Sequence, residues 1–268
     1  MQASGHVRNS ELDIASPGGL VRHIGSLAWQ ESGEVRWATA FGSTDGAEAL
    51  TLFAVEVISG ETQPVDAGSS ESVLYVLGGC GQLSMGDRKF EIAEGDGAHV
   101  RAGEQFILQQ TGSETLRALI LVCPSPAVAP WKTEALETGS CTGTFDQHFP
   151  DRVVSARAAK RESTGDRSFR ILVGPKIGSQ SVTQFIGTIP LSRAPEHFHL
   201  YEEVICVLSG DGRAWIGDQC TAISKGSLIF LPREQPHCLE CTSEEGLELI
   251  GMFYPAGSPA VNYSTDAA

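Results

Sequence analysis

Two histidines one residue apart, His197 and His199, stand just before an acidic pair, Glu202 and Glu203, in the stretch PEHFHLYEEVICVLSGDG. Residues two apart in an extended segment point to the same side, so both imidazoles share a face while Phe198 points the other way. Glu203 follows after a short step that can bring its carboxylate to the same point. Imidazole nitrogens and carboxylate oxygens together suit first-row transition metals. This cluster at the mouth of an apolar strand therefore indicates metal chemistry.

The elements that must position these groups have the pattern of strands. Short apolar segments bounded by Gly, Pro, Asn, Asp or Ser recur at close intervals, among them ALTLFAVEVI, SVLYVLGG, EVICVLSG, SLIFLP and ELIGMFY. No segment of helical periodicity is long enough to supply a layer of helices. The pattern predicts an all-β fold that closes as a sandwich or a barrel, because closure protects the sheet edges. Helix is expected only as a minor component, within SARAAKRES at residues 155–163.

The chain also repeats itself. ESVLYVLGGCGQLSMGDRKFEIAEGDGAHVRAGEQF in the first half aligns with EEVICVLSGDGRAWIGDQCTAISKGSLIFLPREQPH in the second when one residue is inserted near the first turn. The alignment pairs Glu71 with Glu203, Gly78 with Gly210, Gly81 with Gly212, Gly86-Asp87 with Gly217-Asp218, and Gly95 with Gly226. The glycines fall where turns need a positive φ. The repeat predicts two β domains with the same fold.

The second half resembles the cupins, whose first motif has the form G(x)5HxH(x)3–4E(x)6G. His197, His199, Glu203 and Gly210 match the later part of this motif, and Leu191 stands at its opening glycine. The motif places two histidines and one glutamate in the spacing that the family uses to hold a metal ion.

The second cupin motif, G(x)5PxG(x)2H(x)3N, follows in the same half. Gly226, Pro232 and His237 fall in register with it, while Glu234 stands at the inner glycine and Cys241 at the final asparagine. His237 thereby becomes the fourth ligand that the resemblance implies.

The resemblance implies one divalent transition metal per chain, held by His197, His199, Glu203 and His237. Iron, manganese, nickel, cobalt, zinc and copper all suit three imidazoles and one carboxylate, and affinity alone does not choose among them. Burying these four side chains without a cation would leave unpaired polar groups that cost several kcal/mol, which favours metal binding over a purely structural role.

The first half lacks these ligands. Counted back from Glu71, the two histidine positions hold Val65 and Ala67, and the position of the later histidine holds Phe106. One remaining carboxylate does not hold a transition metal, so no metal site is expected there. A stabilising and dimerising role is expected instead, within a homo-oligomer that we predict to be a dimer.

The resemblance covers most of both halves and implies an all-β chain of two tandem cupin (RmlC-like jelly-roll) β-barrels, that is, a bicupin. We expect an N-terminal cupin domain without metal ligands at residues 20–125, a linker at 126–149 and a C-terminal cupin domain with the metal site at 150–260. The first residues and the tail SPAVNYSTDAA are expected to reach across to the other domain or to a second subunit, because exposed edge strands need covering.

The resemblance leaves the reaction open, because cupins include dioxygenases, isomerases, decarboxylases, lyases, hydrolases, storage proteins and sensors. The leading hypothesis is dioxygenase-type chemistry on a small oxygen-bearing organic substrate. Glu202, Tyr201 and Arg193 are the candidates for catalytic help near the metal. No cofactor other than the metal is expected.

Several alternatives to the dioxygenase stay open. One is a cupin isomerase, lyase or hydrolase. Among these, the bicupin ureidoglycine aminohydrolases are similar in architecture, at ESVLYVLGG and APWKTEALETG, but their ligand pattern, ExHxxxH with a later glutamine, differs from the one found here. Another alternative is a binding or storage protein in which the metal is structural or absent. A transcriptional sensor is disfavoured, since no helix-turn-helix segment accompanies the strands.

Composition excludes some partners. The 268 residues carry 19 basic against 33 acidic side chains, a formal charge of −14, and no Lys/Arg cluster that would bind phosphates. Nucleic acid and membrane surfaces are therefore not expected as partners. No apolar run reaches the roughly 20 residues of a spanning helix, and the start lacks a signal-peptide layout, so a cytoplasmic protein is expected. Seven dispersed cysteines, CLEC included, are expected to be reduced.

Overall fold

The computed structural model describes residues 14–15, 18–126, 130–131, 141 and 144–263. Most of the regular structure is β-strand, as predicted. The strands before the linker are β1 (Ile14–Ala15), β2 (Leu20–His23), β3 (Gln30–Ser32), β4 (Val35–Phe41), β5 (Thr51–Val57), β6 (Val65–Asp66), β7 (Glu71–Gly78), β8 (Cys80–Met85), β9 (Arg88–Ala93), β10 (Asp96–Val100), β11 (Gln105–Gln110) and β12 (Leu116–Cys123).

The strands after the linker are β13 (Val153–Ser155), β14 (Arg161–Thr164), β15 (Arg167–Val173), β16 (Thr183–Ile189), β17 (Glu202–Ser209), β18 (Gly212–Ile216), β19 (Gln219–Ile223), β20 (Ser227–Leu231), β21 (His237–Cys241) and β22 (Leu247–Tyr254). Within the described ranges, helix is confined to three short 3-10 turns at Ile24–Ser26, Ser43–Asp45 and Pro175–Ile177. None of the described helices is long and apolar enough to cross a membrane.

The strands form two antiparallel jelly-roll barrels, each made of a large and a small sheet. The first barrel has the orders β13-β10-β7-β12-β5-β4-β3 and β6-β11-β8-β9. The second has the orders β1-β2-β20-β17-β22-β16-β15-β14 and β19-β18-β21. The all-β fold class predicted from the sequence is confirmed.

The two barrels exchange strands at their edges. β2 pairs with β20, with Leu20 opposite Phe230, although β2 lies at the start of the chain. β13 pairs with β10, with Val153 opposite Ala98, although β13 follows the linker. Each large sheet thus has an edge that is covered by a strand from the other half of the chain, which satisfies backbone groups that an open edge would leave unpaired. The chain start therefore reaches the other barrel. The predicted domains begin at residues 20 and 150 because they divide the chain in sequence order, whereas the exchange gives β2 to the second barrel and β13 to the first.

The large sheets pack against each other, so their central strands are buried on both faces. Along β7, Val73 and Tyr75 join a core between the barrels, whereas Leu74 and Val76 join the interior of the first barrel. β17 alternates in the same way. Burial on both faces explains why these strands have nearly continuous apolar sequences rather than an alternating pattern.

Strand register corrects the predicted alignment of the two halves. Glu71 lies opposite Cys123 at the end of β12, and Glu202 lies opposite Tyr254 at the end of β22. Glu71 is therefore the counterpart of Glu202, not of Glu203 as the sequence alignment had it. Ser72 takes the position of Glu203.

The additional residue of the first half also lies earlier than the turn where the alignment had inserted it. Val65 pairs with Phe106 as His197 pairs with His237. The Gly103 amide then bonds the Gly68 carbonyl, as the Glu234 amide bonds the His199 carbonyl. The extra residue therefore lies between residues 65 and 68, in a loop, where a length change leaves the strands undisturbed.

The helix expected within residues 155–163 is absent from this described stretch. The amides of Ala158 and Ala159 both bond the carbonyl of Ser155, which makes a single turn. Arg161–Thr164 then pairs with β15. One isolated turn is too short for cooperative helix formation, and the hairpin supplies the backbone partners instead.

Candidate metal centre

Backbone pairing brings the predicted ligands together at one end of the second barrel. His197 and His237 form an antiparallel bridge with N–H···O distances of 3.0 and 2.8 Å. His199 lies two residues further on, and Glu203 is the second residue of β17. Phe198 faces away and stacks on Tyr263 with a centroid distance of 5.7 Å. The alternation predicted for the two histidines is therefore present in the structure.

The three imidazoles converge. Their centroids are 4.8 Å apart for His197 and His199, 4.5 Å for His197 and His237, and 5.1 Å for His199 and His237. One ligand atom from each lies within 4.8 Å of the others, close to the roughly 3 to 4 Å between donors that share an ion at about 2.1 Å. A carboxylate oxygen of Glu203 lies 3.7 Å from Nε2 of His199.

Backbone carbonyls fix the tautomer of all three histidines. Nδ1 of His197 lies 2.9 Å from the Pro195 carbonyl, and Nδ1 of His237 lies 2.9 Å from the Gln235 carbonyl. A third carbonyl lies 3.2 Å from Nδ1 of His199. Because a carbonyl only accepts, each Nδ1 carries the proton and donates it, which leaves the Nε2 lone pairs free to bind an ion.

Burial disfavours the charged form of every group in the cluster. It lowers the pKa of His237 to about 3 and that of His199 to about 4, with further lowering from the neighbouring imidazoles. Burial also lowers the pKa of His197, and the charge of Arg167 adds to that lowering. In the opposite direction, burial raises the pKa of Glu203 to about 8.

These observations fit a divalent transition metal. Three imidazoles present free Nε2 atoms, and a fully buried carboxylate without a cationic partner stands beside them, an arrangement that is costly unless a cation compensates it. The nitrogen-rich donor set favours transition metals over calcium or magnesium, which prefer oxygen ligands.

The cluster opens into a cavity of about 100 Å³ inside the second barrel. Both polar and apolar residues line it. The polar ones include Thr164, Arg167 and Asn262, and the apolar ones include Phe169, Phe185, Ile189, Ile205, Leu239 and Leu249.

Of the three catalytic candidates from the sequence, Tyr201 alone lies in this cavity. Its ring stacks on His199 at 4.4 Å and on Phe253 at 4.0 Å. Burial raises the pKa of Tyr201 well above its usual range, with a further contribution from Glu203, so the phenol keeps its proton.

Glu202 and Arg193 do not line the cavity. The Glu202 carboxylate accepts hydrogen bonds from the amides of Glu48 and Ala49 in the first barrel, at 2.7 and 3.0 Å. The Arg193 guanidinium lies 4.0 Å from the Trp215 ring centroid, on the outside of the small sheet. The structure therefore does not bring these two side chains to the cavity: Glu202 links the barrels, and Arg193 packs on the barrel surface.

Two features of the site escaped the sequence analysis. One is Arg167, which lies on β15 two residues before the buried Phe169. The sequence does contain a signal for it, because a spacing of two along a strand places this charged residue on the same face as an apolar one. The tail segment 258–263, which was expected to reach the other domain or a second subunit, instead folds over the site of its own barrel. Its Val261 carbonyl is the one that holds Nδ1 of His199, and Pro259 lines the cavity. No local pattern identifies a backbone carbonyl as a positioning group.

The equivalent positions of the first barrel carry no comparable donor set. Val65, Gly68, Ser72 and Phe106 replace the three histidines and the glutamate, with Gly68 in place of the predicted Ala67. Val65 and Phe106 belong to the apolar interior of that barrel. Among the described residues, the His197 cluster is the one group of three or more metal-binding side chains close enough to share an ion.

One family comparison covers the part of the chain that holds the histidine cluster. Residues 189–253 match the sequence model of the cupin domain family. No curated protein sequence matches the chain significantly.

Solved structures resemble the whole chain. Protein YlbA from E. coli superposes with a TM-score of 0.70 at 13% identity, covering 92% of this chain and 94% of that one. A mutant of Bacillus subtilis oxalate decarboxylase superposes with a TM-score of 0.71 at 12% identity, covering 97% and 82%. The formate complex of Lactobacillus farciminis oxalate decarboxylase gives 0.71 at 11% identity, covering 92% and 89%. At these identities the superpositions establish the fold, two tandem cupin jelly-roll barrels.

Proposed function

We propose that this chain is a metal-dependent enzyme that binds one divalent transition metal through His197, His199, Glu203 and His237 and acts on a small oxygen-bearing organic substrate. The observation that carries the proposal is the convergence of three imidazoles, each with its Nε2 atom freed by a carbonyl bond at Nδ1, beside a buried carboxylate in the lining of a cavity. The match to the cupin domain family over these same residues supports it.

The chain's own residues prepare the site. The carbonyls of Pro195, Gln235 and Val261 hold the imidazoles in one orientation. The stacked ring of Tyr201 fixes His199 from the side, and its protonated hydroxyl is available as a hydrogen-bond donor. The apolar walls exclude water, which strengthens electrostatic interactions inside the cavity. A bound ion would supply Lewis-acid polarisation of the substrate and, if redox-active, electron transfer.

For the reaction, we propose dioxygenase-type oxidation as the first candidate, because a redox-active ion held by these four residues would supply electron transfer to dioxygen and the apolar walls would exclude water. A second candidate is lyase chemistry of the decarboxylase type. It is favoured by the superposition of two oxalate decarboxylases over nine-tenths or more of this chain.

Elemental analysis of the purified protein tests the metal, and a substrate screen tests the reaction. We expect about one transition metal per chain in the parent, loss of it in His197→Ala, and no change in His148→Ala, whose side chain is 90% exposed. Catechols, enediols, diketones and small carboxylic acids are then offered under air. Oxygen uptake supports the dioxygenase, and carbon dioxide release without oxygen uptake supports the lyase. A parent protein with no affinity for transition metals would overturn the proposal.

A further inference from the structure

The cavity contains one arginine whose charge the surrounding protein leaves largely uncompensated. The Arg167 side chain lines the cavity and is 22% exposed. Its Nε atom is buried and has no hydrogen-bond partner. Among the described residues its ion-pair partner is Asp166, at a long 3.5 Å, and that carboxylate is 56% exposed and also accepts a hydrogen bond from Ser192.

A guanidinium in such a place favours an anionic ligand. It presents five donors in a planar fork that matches a carboxylate, and leaving those donors unused in a partly buried pocket is costly. With a divalent ion bound and Glu203 ionised, the charged groups lining the cavity sum to a positive value, while the whole chain carries −14. The cavity is therefore a local site of positive charge on an acidic protein.

The first barrel provides an internal comparison. Arg167 lies opposite Thr164 in the β14–β15 hairpin, and the matching pair in the β3–β4 hairpin is Val35 opposite Ser32. The barrel without the donor set thus has an aliphatic residue at the position of Arg167. Val35 packs against the apolar interior of its barrel. A structural requirement of the fold for a positive charge at this position is therefore excluded.

We propose that the ligand of this cavity is a small carboxylate whose anionic group pairs with Arg167, an inference that rests on the proposed metal-dependent function and specifies its substrate class. Thr164 lies directly opposite Arg167 in the hairpin and also lines the cavity, so its hydroxyl shares the face of the arginine and can exchange a further hydrogen bond with an oxygen atom of the ligand. The size agrees, since a cavity of about 100 Å³ is smaller than the about 150 Å³ that holds benzene. Carboxylates of about three to six non-hydrogen atoms fit this volume.

Calorimetric titration of the metal-loaded protein tests the inference. Acetate, glycolate and pyruvate are the probes, and acetamide, glycolamide and pyruvamide are their neutral counterparts. We expect the parent to bind at least one carboxylate more tightly than its amide. In Arg167→Gln, carboxylate affinity should fall on the order of 10- to 100-fold, as for loss of a charge-assisted pair, while amide affinity and metal content stay unchanged.

Arg193→Gln is the matched control, because it removes the same charge from the outside of the same barrel. It should bind carboxylates like the parent. Equal carboxylate affinity in Arg167→Gln and the parent, or failure of the metal-loaded parent to prefer any carboxylate, would overturn the inference and leave the metal proposal standing. Failure of the parent to bind metal would overturn the proposed function. If the metal-free parent still binds carboxylates and this binding depends on Arg167, the carboxylate site alone is supported. If it binds no carboxylate, the proposed function and the carboxylate site are both overturned.

Discussion

Glu202 and Glu203 are neighbours in the chain, yet their carboxylates lie on opposite faces of β17 and serve different barrels. Glu202 accepts the amides of Glu48 and Ala49 in the first barrel, whereas Glu203 approaches His199 inside the second. The alternation of side chains along a strand separates the two roles.

This division predicts different outcomes for two adjacent substitutions. Glu203→Gln should abolish stoichiometric metal binding with the fold intact, because it removes the anionic ligand. Glu202→Gln should keep the metal but lower the free energy of unfolding by about 1 to 3 kcal/mol, because one amide would face a donor instead of an acceptor. Elemental analysis and urea unfolding measure the two effects. Metal loss in Glu202→Gln would contradict the assignment.

Metal binding at pH 7 should release about one proton per chain. Burial raises the pKa of Glu203 to about 8, so the metal-free protein carries a proton there that the ion must displace, whereas the histidines with lowered pKa values are already neutral. Calorimetry at pH 7 in buffers of different ionisation enthalpy measures the release, which should vanish by about pH 10. Identical enthalpies in all buffers at pH 7 would show that Glu203 is ionised before the ion arrives.

Glu203 and Glu71 should have opposite effects on the acid stability of the metal-free protein. Because the pKa of Glu203 is raised in the folded protein, its carboxyl group stabilises the fold at low pH. This stabilisation is lost as the pH rises from 4.5 through about 8. Burial raises the pKa of Glu71, but the His99 imidazole 3.7 Å away and hydrogen bonds from Ser181 and Gln180 outweigh burial and lower it to about 2. The stability from Glu71 is present above pH 4.5 and is lost as the pH falls towards 2.

Glu71→Gln therefore tests the contact between the barrels. The lowering of the pKa from 4.5 to about 2 corresponds to about 3 kcal/mol at neutral pH. With chelator present, the variant should unfold more easily than the parent at pH 7, and the two should converge near pH 2. Its metal content should match that of the parent. A constant difference in unfolding free energy between pH 7 and 2 would refute the linkage.

Glu234 predicts an unusual stabilising substitution. It has a φ of 62° and is the one described non-glycine residue with positive φ. Its counterpart in the first barrel, Gly103, has a φ of 80° and open space around a Cβ atom. Glu234→Gly should raise the free energy of unfolding by about 1 kcal/mol, and Gly103→Glu should lower it by a similar amount. Thermal unfolding measures both, and a destabilised Glu234→Gly would show that its side chain compensates for the backbone.

The tail should contribute to metal affinity. Removing residues 258–268 deletes the Val261 carbonyl that orients His199 and the two backbone hydrogen bonds between Tyr263 and Phe198. We expect metal affinity to fall about 10- to 100-fold with the barrels folded, as for the loss of a group that orients a ligand. Removing residues 264–268 alone keeps these contacts and serves as the control. Equal metal affinity in both truncated proteins would exclude the positioning role.

Local sequence was sufficient to predict an all-β fold, an internal repeat and the shared face of two histidines. Strand formation follows from short apolar runs between turn residues, and the shared face of His197 and His199 follows from a spacing of two.

What the sequence left undecided depends on contacts between distant parts of the chain. A shift of one residue between the repeats moves a side chain to the other face of its sheet, so the alignment of Glu71 with Glu203 failed although its glycines nearly matched. The exchange of β2 and β13, the link from Glu202 to the first barrel and the carbonyl of Val261 beside His199 all arise from tertiary packing. These contacts join residues 55 to 210 positions apart, and no local propensity encodes which distant backbone group will satisfy a given side chain or strand edge.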